Sequence, residues 1–295
     1  MLTGENQTTS PSQSGENVPI SFTVDSFANG IAFGQHKLEV DADPRDYYAL
    51  RVADDSELVR VRSRYLLDKH SPLQRLEQHL MRLSRRGILR QSQIFFGVST
   101  DPFLPFEGKF DASMRFLDLF QRYTPGMLVV QTRSPLIVIA LPVFKRLGAH
   151  TAVTIPIETT DDAVVRRYTP GLPRIDERLK AASALRRFGV EVTIQVSPVL
   201  PYGDWKKDAE KFAVMINEHA DYIHVRSITD GSERVERRLR SSALAQKLAH
   251  DRMFHFLRPD SANPLISALE KIAPEKLRMP PRLQLLEKQL GMFAA

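Results

Sequence analysis

Hydrophobic residues along this chain gather in short, nearly continuous runs. Between the runs lie longer stretches in which they recur every three or four positions. The runs are residues 20–25, 93–99, 127–132, 151–158, 192–200 and 222–228. Runs of this length, rich in Val, Ile and Phe and without strict alternation, predict parallel strands buried on both faces. The intervening stretches predict helices. Ser71-Pro72 offers a capping hydroxyl and a first-turn proline; Leu73, Leu76, Leu80 and Leu83 then share one face, and Gly87 ends it. Residues 111–123, 135–147, 161–168, 175–188 and 204–219 fill the other gaps, with Gly148 and Gly189 as stops. Strand and helix alternate about six times, which argues for an α/β fold on a parallel sheet. Residues 233–257 and 264–292 read as a helical extension, and the polar residues 1–18 as a disordered tail with little to bury. The expected division is thus a tail over 1–18, an α/β body over 19–230 and a helical extension over 231–295.

Periodicity alone leaves a barrel and an open sheet as alternatives. Both bind ligands at the carboxyl ends of their strands. Polar residues gather at those ends: Ser99-Thr100-Asp101, Thr132-Arg133-Ser134, Glu158-Thr159-Thr160, Ser197 and Arg226-Ser227. Each residue alone reads as a helix cap or turn former, whereas their repetition at equivalent ends predicts a ligand site. Glu158 would end a buried strand, where an acid needs either a ligand or a salt bridge to an arginine.

Composition narrows the chemistry. With 295 residues and 42% hydrophobic content, the chain can bury one large core. No apolar run approaches the ~18 residues of a membrane span, and the polar start lacks an export signal, so a cytoplasmic location is expected. The net charge of +6 permits a nucleic-acid partner without requiring one. Arg234, Arg237, Arg238 and Arg240, with Lys247 and Arg252, and the earlier Arg82, Arg85, Arg86 and Arg90, could contact phosphate. The interleaved Glu233, Glu236 and Asp251 favour a solvated helix face instead. Cysteine is absent, which excludes disulfides, thiolate nucleophiles and cysteine-ligated metal. Phosphate-loop, GxSxG, HExxH and GxGxxG motifs are absent too. His36, His219 and His224 read as surface or packed residues, Asp161-Asp162 as a helix start, and Trp205 as packed.

Several segments, in order, carry a resemblance. Gly97-Val-Ser-Thr-Asp-Pro-Phe-Leu-Pro-Phe-Glu107 resembles the Ser-Thr-Asp-Pro-Tyr-x-Pro-x-Glu segment of the spore photoproduct lyase or DNA repair photolyase group of radical S-adenosylmethionine proteins. Gln131-Thr-Arg-Ser-Pro-Leu136 is similar to that group's Thr-Lys-Ser segment, with Arg133 for Lys. Tyr168-Thr-Pro170 followed by Arg178-Leu179 resembles its Glu-Pro…Arg-Leu stretch, and Val196-Ser-Pro-Val-Leu-Pro201 its Pro-Ile-x-Pro pattern.

The resemblance covers about residues 90–230. It implies a partial (β/α)6 TIM-like barrel with S-adenosylmethionine held near Ser99, Thr100, Asp101, Thr132, Arg133, Glu158 and Ser197. The family's CxxxCxxC loop aligns to 26–35, where Phe27, Ile31 and Gly34 stand at the three cysteine positions. A 4Fe-4S cluster is therefore not expected, and no catalytic residue or metal ligand is assigned. The expected protein is a degenerate or catalytically altered member with a binding or regulatory role, partnered by nucleic acid or a cysteine-bearing paralogue and not by membrane. The alternatives are an iron-free enzyme of another class using Asp101, Arg133 and Glu158, or a nucleic-acid-binding protein.

Overall fold

The computed structural model describes residues 20–27, 30–37, 72–91, 93–97, 101–103, 111–240 and 242–277. The expected tail, Ser99 and Thr100 lie outside them. Seven strands form one sheet: β1 (Ile20–Phe27), β2 (Gly30–Lys37), β3 (Gln93–Phe96), β4 (Met127–Gln131), β5 (Thr151–Pro156), β6 (Glu191–Val196) and β7 (Tyr222–Val225). The six expected runs are all strands; β1 runs two residues past its expected end, whereas β4 to β7 stop short of theirs. In β6 the reason is plain, because Pro198 has no N–H to donate.

Strand β2 departs from expectation. Where a loop was predicted over 26–35, β1 and β2 form an antiparallel pair running from Ile20↔Lys37 to Phe27↔Gly30. His36 therefore lies in an edge strand, paired with Ser21.

The helices are α1 (Pro72–Arg85), α2 (Asp111–Arg122), α3 (Leu141–Leu147), α4 (Asp162–Tyr168), α5 (Ile175–Arg187), α6 (Ala209–Asn217), α7 (Glu233–Arg240), α8 (Ala243–His250) and α9 (Asn263–Ile272). The helix predicted over 135–147 begins as a 3-10 segment, Pro135–Ala140, because Pro142 removes a donor from the first turn of α3. That predicted over 204–219 starts only at Ala209. Asp204 accepts from the Lys206 and Lys207 amides at 3.1 and 2.9 Å, and Asp208 accepts from the Asp204 amide at 2.8 Å. These bonds make a turn of the preceding residues. The extension predicted over 233–257 is broken twice. Ser242 caps α8, and Arg252 adopts φ 59°, a left-handed conformation that ends it. Residues 278–292 of the second predicted segment lie outside the described ones.

The order β2-β1-β3-β4-β5-β6-β7 never reverses among the parallel strands. A right-handed crossover between each successive pair then puts every connecting helix on one face. A doubly wound sheet needs a reversal of order, and this sheet has none. Side-chain burial shows the same division. Phe96, Val130, Val153, Ile194 and Val196 join Phe120, Phe144, Leu185 and Phe212 of the helices in the main core. Residues of the opposite parity, Phe95, Met127, Val129 and Ala152, form a separate buried cluster. The sheet is open, with β2 and β7 at its edges.

A third cluster lies beyond the carboxyl ends. Tyr168, Leu200 and Ile228, which follow β5, β6 and β7, pack with Leu239, Leu244, Ala245 and Leu248 of α7 and α8. Asp251 fastens this layer. It accepts from Arg167 Nε and Nη2 at 2.8 and 2.7 Å and from the Tyr168 hydroxyl at 2.9 Å. Those hydrogen bonds hold the Asp251 carboxyl down at about 2, while burial, helped by Asp251, pushes the Tyr168 hydroxyl up to about 12.

Candidate functional site

Four of the predicted site residues meet at the ends of β3, β4 and β5. Gly97 makes the meeting possible. It sits at φ 95°, and a Cβ there would lie 2.4 Å from the Gln131 carbonyl oxygen. With no side chain, the chain leaves β3 against the end of β4 and delivers Asp101 beside Thr132. The Asp101 carboxylate accepts from Thr132 Oγ1 at 2.5 Å, the Arg133 amide at 2.6 Å and the Phe103 amide at 3.0 Å. Burial nevertheless pushes its carboxyl above the ordinary range, against the pull of those donors.

Glu158, two residues past the end of β5, is 2% exposed and lies between two arginines that are equally buried, Arg133 at 2% and Arg178 at 0%. Arg133 donates from Nε to Oε1 at 2.6 Å, and its Nη2 also pairs with Oε1. Arg178, on α5, donates from Nη1 to Oε2 at 2.9 Å and to the Pro156 carbonyl at 2.8 Å. Burial acts to raise the Glu158 carboxyl, but the two guanidiniums outweigh it and hold it below its ordinary value. The salt-bridge reading of Glu158 is the one realised, with both of its oxygens engaged.

Ser197 is buried at the end of β6, at the same edge of the sheet. Asp161 caps α4, accepting from the Ala163 amide at 2.7 Å. Trp205 is packed, donating to the Ser261 carbonyl at 2.9 Å and stacking on His255. His219 meets Ser183 at 2.6 Å. Arg237 is paired with Glu233 at 2.6 Å. Among the described residues, no group of three His, Cys, Asp or Glu side chains could hold a metal ion, and no helix is long and apolar enough to cross a membrane.

Three functional candidates were absent from the sequence reading of the site. Arg178 was legible only as part of a resemblance, because a helix residue gives no sign that it reaches a strand end. Gln131 and Gln195 lie inside the apolar runs of β4 and β6, 3% and 1% exposed. A glutamine at an interior parity of a buried strand is the signal that could have found them.

No protein-family model and no curated protein matches the chain. Solved structures do. A tyrosine-to-phenylalanine mutant of spore photoproduct lyase aligns over 78% of this chain and 71% of its own, at 12% identity and TM-score 0.51. A cysteine-to-serine mutant aligns over 70% of this chain at 13% identity and TM-score 0.47; this chain spans 65% of that one's length. A double mutant of the same enzyme, with AdoMet and dinucleoside spore photoproduct bound, aligns at 14% identity and TM-score 0.46. The chain thus shares an α/β fold with spore photoproduct lyase.

The cluster that the resemblance implies does not fit the residues present. The 295 residues include no cysteine. The aligned positions do not converge either. Phe27 pairs with Gly30, Ile31 with Ser26 and Gly34 with Thr23, so Phe27 and Gly34 share one face of the hairpin while Ile31 takes the other. The loop expected over 26–35 is instead part of this paired hairpin. Both Glu158 oxygens are already engaged by arginine.

Proposed function

We propose that this chain is a spore photoproduct lyase-like protein, built on a partial (β/α)6 barrel, that has left iron–sulfur chemistry and binds a small polar ligand at the carboxyl ends of its strands. Its role is then binding or regulation and not radical cleavage. The observation that carries the reading is the buried Arg133–Glu158–Arg178 group, backed by Asp101, at the edge where α/β sheets hold ligands. Two guanidiniums on one carboxylate, all withdrawn from water, are a costly arrangement. Such groups are retained where they orient donors for a ligand.

The test takes purified protein through anaerobic reconstitution with iron and sulfide, then through calorimetric titration with S-adenosylmethionine and a thermal-shift screen of nucleosides, amino acids and organic acids. The expected results are no stoichiometric iron, no tight S-adenosylmethionine binding, and a ligand-induced shift that Arg133→Met abolishes. Four bound irons per chain, or a ligand shift untouched by Arg133→Met, would sink the proposal.

A further inference from the structure

At the end of the sheet opposite the candidate site, each connecting helix hands the chain to the amino end of the next strand. Helices α1, α2, α3 and α5 finish there, before β3, β4, β5 and β6 begin. Their last turns are basic: Arg85 in α1, Arg122 in α2, Lys145 and Arg146 in α3, Arg187 in α5. A cation complements the negative end of a helix dipole, which accounts for one such residue per helix. It does not account for the pattern. Helix α6 ends on the same side with no Lys or Arg in its last turn and with Glu218 exposed after it. Arg86 and Arg90 lie beyond the end of α1, and both are exposed.

Side-chain contacts join these helix ends into one stripe. Arg122 donates to Glu77 of α1 at 2.8 Å, and Arg146 donates to the Gln121 carbonyl oxygen of α2 at 2.5 Å. Lys145 lies 4.7 Å over the ring of Phe188, just past α5. Arg90 meets His150 at 3.5 Å, tying the segment after α1 to the one after α3. Packed helices lie about 8–10 Å apart, so the ends of α1, α2, α3 and α5 span about 30 Å. Acids do not neutralise this length. Glu77 is taken by Arg122, and Asp118 accepts from Gln121 at 3.1 Å. Among the described residues, no carboxylate pairs with Arg85, Arg86, Arg90, Lys145, Arg146 or Arg187. Exposed cations this close together add into one positive field.

What the stripe lacks narrows its partner. A protein interface of ordinary size has an apolar centre that excludes water. Among the described residues, Phe188, 49% exposed, is the one large apolar side chain laid open at these helix ends, and Lys145 covers one face of its ring. A bilayer asks for less. Its anionic headgroups present charge over a plane, and the ends of helices that flank one sheet lie near one plane as well. A single aromatic ring flanked by cations suits the boundary between headgroups and acyl chains.

We propose that this face docks on an anionic phospholipid surface, with Phe188 entering the headgroup boundary beside Lys145 and Arg187. Such docking needs no membrane-spanning segment, which is the only membrane contact that the length of the apolar runs excludes. The docked chain turns the carboxyl ends of its strands away from the bilayer. None of the docking residues belongs to the strand-end site, so this proposal stands or falls apart from that one.

The test is sedimentation of the full chain with vesicles of phosphatidylcholine, either alone or with about one third phosphatidylserine. The expected result is partition onto the phosphatidylserine vesicles, little onto phosphatidylcholine alone, and release as salt is raised. Arg85→Gln, Arg86→Gln and Arg187→Gln together should weaken partition about tenfold or more. None of the three has a side-chain partner among the described residues, so the melting temperature should hold. Phe188→Ser should weaken partition a few-fold and leave its salt dependence unchanged. Arg166→Gln, Lys206→Gln and Arg252→Gln together remove the same charge from exposed positions elsewhere and should have little effect. Equal partition onto both kinds of vesicle, full binding by the first triple variant, or an equal loss in the second overturns the inference. Displacement from vesicles by a single-stranded oligonucleotide at equal phosphate concentration assigns the face to nucleic acid and overturns it too.

Discussion

Replacing Glu158 by Gln tests the energetics of the buried group most directly. The substitution keeps size and shape but removes the carboxylate that pairs with the guanidiniums of both Arg133 and Arg178, at 2% and 0% exposure. Breaking a buried ion pair by removing one partner costs about 3–5 kcal/mol, because the remaining charge stays in a poorly solvating interior. Here two cations lose that carboxylate at once, so the upper half of that range is expected. Chains of this size lose about 2–4 °C of melting temperature per kcal/mol, giving a fall of roughly 8–20 °C.

Urea and thermal unfolding followed by circular dichroism would measure it at pH 7. Acid supplies an independent check. The Glu158 carboxyl is lowered in the fold, so its contribution is complete above about pH 4.3, its unfolded value, and is lost as pH falls through the folded value. The deficit of the Gln variant should therefore shrink in acid. A combined Arg133→Met, Glu158→Leu, Arg178→Met variant should unfold within ~1 kcal/mol of wild type, since no charge is left stranded. If Glu158→Gln alone lies that close to wild type at pH 7, the guanidiniums are solvated and the argument for a dry, preorganised group fails.

Two further outcomes follow from the strands around the site. Gly97→Ala must place a Cβ at φ 95° and 2.4 Å from the Gln131 carbonyl, so a loss above ~2 kcal/mol is expected in urea unfolding; a loss under ~0.5 kcal/mol would show that β3 does not leave the sheet there. Replacing Phe27, Ile31 and Gly34 together by Cys should yield no 4Fe-4S cluster on anaerobic reconstitution. Two of those positions share a face about 13 Å apart along the hairpin and the third lies opposite, so a stoichiometric cluster by iron and sulfide analysis would mean the hairpin opens.

The strands β4 and β5 were legible because a strand buried on both faces is apolar at most positions, while β6 and β7 still showed apolar residues at alternate positions. Strand β2 was not, although residues 29 and 30 read Asn-Gly, a strong hairpin signal, and Ile31 and Phe33 alternate with small residues. A loop borrowed from a family motif was laid over that local pattern. Asp101, Thr132, Arg133 and Glu158 were found as residues, since polar side chains ending apolar runs stand out. Their connections were not. Arg178 reaches Glu158 from α5, 20 positions later in the chain, and sequence periodicity carries no information on which helix residue points past the end of a strand. Gln131 and Gln195 were passed over because the runs containing them are otherwise apolar, which is the very circumstance that makes them costly.

The small core formed by Tyr168, Leu200 and Ile228 with α7 and α8 shares no residue with the main core. Units packed this way open on their own, with a free energy below that of global unfolding. A ligand of the kind proposed, reaching the strand ends from that side, would meet a closed layer and bind only the fraction of molecules in which it has lifted. The measured dissociation constant is then the intrinsic one divided by that fraction. Substitutions at Leu244 or Leu248, which belong to this layer and make no polar contact of the site, would tighten apparent binding by loosening the layer, and amide hydrogen exchange in α8 would rise in step with affinity.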